Sequence, residues 1–282
     1  MGTKLLGQIV LITGASSGIG LALTHQLLQE NTQIIALIRT EFPKDDTSIQ
    51  AAIATRQLRV YRADLSDFTS LRAALEQIKN NEQQIDLLYN NAGGSFPELM
   101  YSKQGRELHY ELHTVAPYII TMELKALLKK GTLKRVVHTS TNAFNMMKRF
   151  DPETLDNPVH FIMLFGPYAA SKLALSLWTQ ELAPQLAQEG ITMVSVDPGG
   201  NNTLRKGKKS GIPFYLKPII QLLFPHPSKG ASLLYQGAIG DHKPGAYLAK
   251  NKQVELKFLQ HAPRVLEKVR DIYEYTYQQV GK

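Results

Sequence analysis

The chain has 282 residues, 43% of them hydrophobic and 20% charged, which is a globular balance with ample material for a buried core. It contains no cysteine, so disulfides, thiolate catalysis and cysteine-ligated zinc are excluded. The formal net charge of +8 admits phosphate-bearing cofactors and anionic membranes, but no nucleic-acid-binding motif accompanies it, and no nucleic-acid partner is expected.

The opening MGTKLLGQIVLITG runs straight into an apolar strand, so neither a secretory leader nor a myristoylation signal is expected; Leu6 stands where the latter needs Ser or Thr. The longest apolar stretch, Ile212 to Phe224, is interrupted by Pro213, Lys217 and Pro218, too soon for a membrane span. A cytoplasmic location follows as the expectation.

Strands are predicted at Gln8–Thr13, Gln33–Ile38, Leu58–Tyr61, Ile85–Tyr89, Arg135–Thr139, Thr192–Val196 and, weakly, Ala246–Leu248. Helices are predicted at Gly18–Glu30, Asp67–Lys79, Arg106–Lys129, Pro167–Gln188 and Ser228–Ile239, with a last one over Gln253–Gln279 broken near Pro263. This alternation predicts a three-layer, doubly wound α/β fold with a mostly seven-stranded parallel sheet, in one domain spanning 1–282. Two long connections interrupt it. One runs from Asn142 to Phe165. The other, about 200–227, carries Arg205, Lys206, Lys208 and Lys209 ahead of GIPFYLKPIIQLLFP. Long connections in a compact domain are often functional.

The first strand ends in TGASSGIG, Thr13 to Gly20. A glycine-rich turn between strand and helix lets backbone N–H groups reach a pyrophosphate at the helix amino terminus. Gly14 suits the tight turn, Gly18 the close approach and Gly20 the packing of helix on sheet; Ser16, Ser17 and Ile19 complete the cofactor-binding candidates here. Arg39 follows Gly20 by 19 positions, where an acidic residue would bind the ribose 2′-hydroxyl of NAD. A guanidinium there favours a 2′-phosphate, so the predicted cofactor is NADP(H).

YAASK places Tyr168 and Lys172 four apart, on one helix face. A free phenol has a pKa of about 10. An ammonium one turn away favours the phenolate and would bring the working value toward neutral. Tyr168 could then exchange a proton with a carbonyl or alcohol oxygen.

The spacing Gly-x-x-x-Gly-x-Gly, followed in order by NNAG (Asn90 to Gly93) and YAASK, resembles the short-chain dehydrogenase/reductase family in its short single-domain branch. The resemblance implies that Asp64 and Leu65 flank the adenine, that Asn91, Ala92 and Gly93 pass close to the cofactor, with Asn90 more structural, and that Lys172 holds the nicotinamide ribose. VDPGG resembles the family's Pro-Gly segment. It implies cofactor contacts at Pro198, Gly199, Asn201 and Thr203, although Asn201 replaces the usual apolar residue.

The family's serine falls in RVVHTSTN. Strict register gives Thr141; a slip of one residue gives Ser140, and the two stay open. The asparagine thought to hold a relay water is replaced by His113, which is either a relay member or a packed residue. The 27 positions from Thr141 to Tyr168, with PSKGA and GAYL, resemble the retinol dehydrogenase-like branch.

The expected function is NADP(H)-dependent interconversion of a lipophilic aldehyde or ketone and its alcohol. The rival is a dinucleotide-binding sensor or scaffold without turnover. The apolar lid with its basic edge, about 205–224, suits a lipophilic substrate and also peripheral contact with an anionic membrane. The resemblance further implies homo-oligomers that pair through helices flanking the sheet.

Overall fold

Apolar runs such as IVLIT and QIIALI need burial on both faces, which a parallel sheet between two helical layers provides. The computed structural model describes residues 5–201 and 224–280, and they form that architecture. Eight strands make one sheet: β1 (Ile9–Thr13), β2 (Gln33–Ile38), β3 (Leu58–Arg62), β4 (Leu87–Asn90), β5 (Arg135–Thr139), β6 (Thr192–Asp197), β7 (Tyr247–Ala249) and β8 (Lys252–Val254). Their spatial order is β3-β2-β1-β4-β5-β6-β7-β8. Strands β1 to β7 are parallel, with Val10 beside Ile34 on one side and Leu87 on the other. The chain leaves β1 in one direction and returns to begin β4 on its other flank. A ligand crevice is expected at that switch point, above the carboxyl ends of β1 and β4.

The helices are α1 (Gly18–Leu28), α2 (Thr47–Ala54), α3 (Phe68–Asn81), α4 (Leu108–Tyr110), α5 (Ala116–Glu123), α6 (Lys125–Lys130), α7 (Pro167–Gln188), α8 (Pro227–Ile239) and α9 (Ala262–Asp271). Strand alternation assigns the layers. Val10 and Ile12 meet Leu23 and Leu27 of α1 and Leu234 of α8. Leu11, Leu88 and Val136 point the other way, into the core formed with α3, α5, α7 and α9.

Four expectations change. The helix foreseen over Arg106–Lys129 is interrupted by a π turn, Glu111–Val115, and again at Leu124. Pro117 has no N–H to give the carbonyl of His113, so a regular α turn cannot close there. The last helix does not start at Gln253, which lies in β8. It starts at Ala262 with Pro263 in its first turn, where a missing N–H costs nothing, so this proline begins the helix rather than breaking it. Helix α2 and the antiparallel edge strand β8 were not foreseen. Residues 202–223 of the predicted lid, with Thr203 and the basic cluster Arg205 to Lys209, lie outside the described residues.

Candidate active site

The turn after β1 brings main chain to the crevice. Gly14 has φ +68°, and a Cβ there would sit 2.9 Å from the Cα of Ala92, so the β1 turn and the NNAG segment touch backbone to backbone. Asp46 and Asp67 cap α2 and α3 with their carboxylates, whereas Ser17 gives α1 no side-chain cap and its first turn holds no acidic residue. Unbonded N–H groups and the positive end of the helix dipole therefore face the crevice, which fits a pyrophosphate.

The other cofactor candidates ring this turn. Thr13 Oγ1 accepts from the N–H groups of Asn91 (3.0 Å) and Ala92 (2.9 Å), while the Asn91 amide donates to Thr13 O at 3.1 Å. Asn90 is buried and bonds Thr121 and His138. Arg39, an exposed residue, lies 3.6 Å from Asp64 at the ends of β2 and β3. Burial alone would raise the Asp64 carboxyl, but Ser66 and Arg39 hold it below its ordinary value. Leu65 beside it is buried. The Asn201 amide is taken up by the structure: it donates to the carbonyls of Pro198 and Gly199 at 2.9 Å and accepts from Gly230 at 3.0 Å, pinning this loop to α8.

At the other end α7 presents Tyr168 and Lys172. Of the two candidate hydroxyls, it is Thr141 that acts on Tyr168, lowering the phenol. Ser140 is instead buried, with its hydroxyl 2.8 Å from that of Ser176 and 3.4 Å from the carbonyl of Lys172. Lys172 Nζ donates to the carbonyl of Thr139 at 2.6 Å. Burial pushes this lysine down to about 7. Burial also holds the Tyr168 phenol above its ordinary value, opposed by Thr141 and reinforced by Asp197. Desolvation is the first cause of both shifts, and the Lys172 ammonium gives one of its three N–H groups to main chain.

His113 lies on the π turn, fully buried, its ring 5.4 Å from that of Tyr168 and edge-on. Both its nitrogens are engaged by protein: Nε2 accepts from Gly94 N at 3.1 Å, and Nδ1 lies 3.0 Å from Ser171 Oγ. Burial, then Lys172, hold it well below the usual histidine range, so it is neutral.

Sequence reasoning missed three groups here. His109 stands edge-on to Tyr168 at 5.9 Å, with its Nδ1 2.7 Å from the buried Glu107 carboxylate. A histidine four residues ahead of His113 was the available signal. Asp197, at the end of β6, is buried and raised by that burial, and accepts from Gly199 N at 3.0 Å; the main chain of Gly199 and Asn142 opposes the rise.

Comparison with known proteins bears on the family and on the fold. A family profile described as "short chain dehydrogenase" matches residues 8–150. Retinol dehydrogenase 12 of Bos taurus is 33% identical over 199 residues, which are 70% of this chain and 62% of that protein's length. Two solved structures superpose on nearly the whole chain. One is an NADPH-bound carbonyl reductase from chicken fatty liver, with TM-score 0.64, 20% identity and coverage of 89% of this chain and 99% of that one. The other is an NADH-dependent reductase complexed with NAD, with TM-score 0.62, 19% identity and coverage of 90% and 100%. At these identities the structural likeness is one of fold.

Proposed function

The chain belongs to the short-chain dehydrogenase/reductase family, and from that premise we propose that it is an NADP(H)-dependent oxidoreductase interconverting a lipophilic aldehyde or ketone with its alcohol. The observation that carries the reading is Tyr168 and Lys172 one turn apart on α7, with Thr141 the neighbouring hydroxyl that lowers the phenol. A bound nicotinamide dinucleotide supplies the hydride in reduction and accepts it in oxidation. Tyr168 gives its proton to the substrate oxygen as the carbonyl carbon becomes tetrahedral, and Thr141 holds that oxygen in reach. A phenol kept above its ordinary range is protonated at neutral pH, the form that reduction needs. Lys172, where charged, favours the phenolate left behind, and its two remaining N–H groups would hold the nicotinamide ribose.

Arg39 supports NADP(H) over NAD(H), since its exposed fork can meet a 2′-phosphate while Asp64 keeps it at the strand ends. The fold neighbours hold either cofactor, so this residue bears the choice. The relative's name indicates a lipophilic alcohol, and Met146, Val159, Ile162 and Phe165 leave apolar surface exposed on the 142–165 connection. Such surface also suits peripheral contact with an anionic membrane. Among the described residues no helix is long and apolar enough to cross one.

Purified protein should bind NADPH in preference to NADH and oxidise it with at least one apolar carbonyl, and Arg39→Asp should reverse the preference. Tight NADPH binding with no turnover across a broad carbonyl panel would favour the sensor reading instead.

A further inference from the structure

The segment after NNAG has no regular structure between Asn91 and Met100, yet four of its N–H groups are taken up by side chains. Those of Asn91 and Ala92 go to Thr13. That of Gly94 goes to His113 Nε2 and that of Phe96 to His109 Nε2, both at 3.1 Å. The spacing explains how. Four residues of helix advance about 6 Å. Histidines at i and i+4 therefore stack along one side of the helix, their rings 5.6 Å apart, and reach alternate N–H groups of the neighbouring segment.

The opposite nitrogens fix the tautomer. Ser171 donates to the carbonyl of Tyr168 at 2.9 Å, so it accepts from His113 Nδ1–H. The Glu107 carboxylate accepts from His109 Nδ1–H and from Tyr110 N. Each imidazole is thus neutral, with its proton on Nδ1 and a lone pair on Nε2 facing the loop. A proton on either Nε2 would set N–H against N–H and release that rung. The charged or titratable groups facing the pair are Glu107, Lys172 and Tyr168. Gly93 lies between the Thr13 anchorage at Ala92 and the His113 anchorage at Gly94, and a Cβ there would meet His113 Nε2 at 3.1 Å and Lys172 Nζ at 3.5 Å.

We propose that His109 and His113 are positioning residues: a two-rung imidazole clasp that sets the course of residues 93–96 past Lys172 and Tyr168. The clasp ties that segment to the catalytic helix through Ser171 and to the 142–165 connection through Glu107, whose N–H donates to the carbonyl of Asp156 at 2.8 Å. Its kinetic consequence rests on the function proposed for Tyr168; its geometry does not.

The experiment uses the full chain labelled with ¹⁵N-histidine. Both rings should appear as Nδ1–H tautomers, and the amides of Gly94 and Phe96 should exchange more slowly than those of Gly93 and Ser95. Glutamine places an amide oxygen near the Nε2 position and asparagine falls short of it. His109→Gln and His113→Gln should therefore retain kcat and slow exchange, while His109→Asn and His113→Asn lose about tenfold in kcat/KM, the scale of one hydrogen bond. An Nε2–H tautomer at either ring, or fast exchange at Gly94 and Phe96, overturns the proposal. So does His113→Asn outperforming His113→Gln, as a water relay at this position requires. If Tyr168 proves dispensable while the tautomers and exchange stand, the function fails and the clasp survives.

Discussion

The two ends of the crevice are made of different material. At the glycine turn the working groups are main-chain N–H groups, exposed because side chains are missing and because nothing caps α1. At the Tyr168 end they are side chains, each held by other buried side chains: Ser140 by Ser176, His113 by Ser171, His109 by Glu107. A main-chain site depends on conformation and fails through backbone strain. A side-chain site depends on burial, and its groups can be removed one at a time. Tyr168→Phe should therefore leave the fold and NADPH affinity intact while turnover drops by about 10²–10⁴-fold, the usual scale for a general acid. Retained turnover would sink the mechanism.

The opposite substitution should fail the opposite way. Gly14→Ala puts a side chain at φ +68° and within 2.9 Å of Ala92 Cα, against backbone that cannot yield cheaply. A loss of about 1–3 kcal/mol in stability is expected, with NADPH binding weakened before any catalytic group is touched. Denaturant melts beside a cofactor titration would read both. An alanine variant with unchanged midpoint and affinity would show that the turn tolerates a side chain.

This contrast also explains what the sequence could disclose. Gly14, Gly18 and Gly20 are legible because a glycine reports directly on the backbone, and the sheet is legible because β1 and β2 are continuous apolar runs. Helix α2 was missed although Asp46 caps it, since only Ile49 and Ala52 of its eight residues are buried. Strand β8 has no buried residue, so no pattern marks it. The Thr141–Ser140 ambiguity could not be resolved from register, because both residues carry a hydroxyl and only packing against Ser176 or Tyr168 separates them. The burial of Tyr168 and Lys172 was not legible for a similar reason: a four-residue spacing gives a shared face but not the depth at which the pair lies.

Lys172 makes that depth measurable. Its folded value of about 7 lies below the ordinary 10.5, so between those pH values the unfolded chain binds more protons and folding stability rises with pH. Below pH 7 both states are charged and the burial cost is present in full. Lys172→Met removes the slope. The stability difference between variant and wild type should thus be greatest at and below pH 7. It should shrink by up to about 1.4 kcal/mol per pH unit toward pH 9, short of tyrosine ionisation in the unfolded chain. A difference that stays flat from pH 6 to pH 9 would mean the ammonium is solvated.

The smallest effects separate the two neighbouring hydroxyls. Ser140 Oγ is buried against Ser176, so Ser140→Ala leaves a buried partner short of a bond and should cost about 1 kcal/mol, or roughly 2 °C in Tm. Its kcat should change little, because that hydroxyl does not face Tyr168. Thr141 is half-buried; its hydroxyl accepts from Ala143 N at 3.2 Å, and it lowers the Tyr168 phenol. Thr141→Ala should lower kcat by about tenfold with little change in Tm, and Thr141→Ser should recover it, since the hydroxyl and not the methyl is used. The reverse pattern, with Ser140→Ala inactive and Thr141→Ala merely less stable, would place the substrate oxygen one residue earlier. The side-chain end of the crevice would then have to rearrange when substrate enters, freeing Ser140 from Ser176, whereas the glycine end would need no such change.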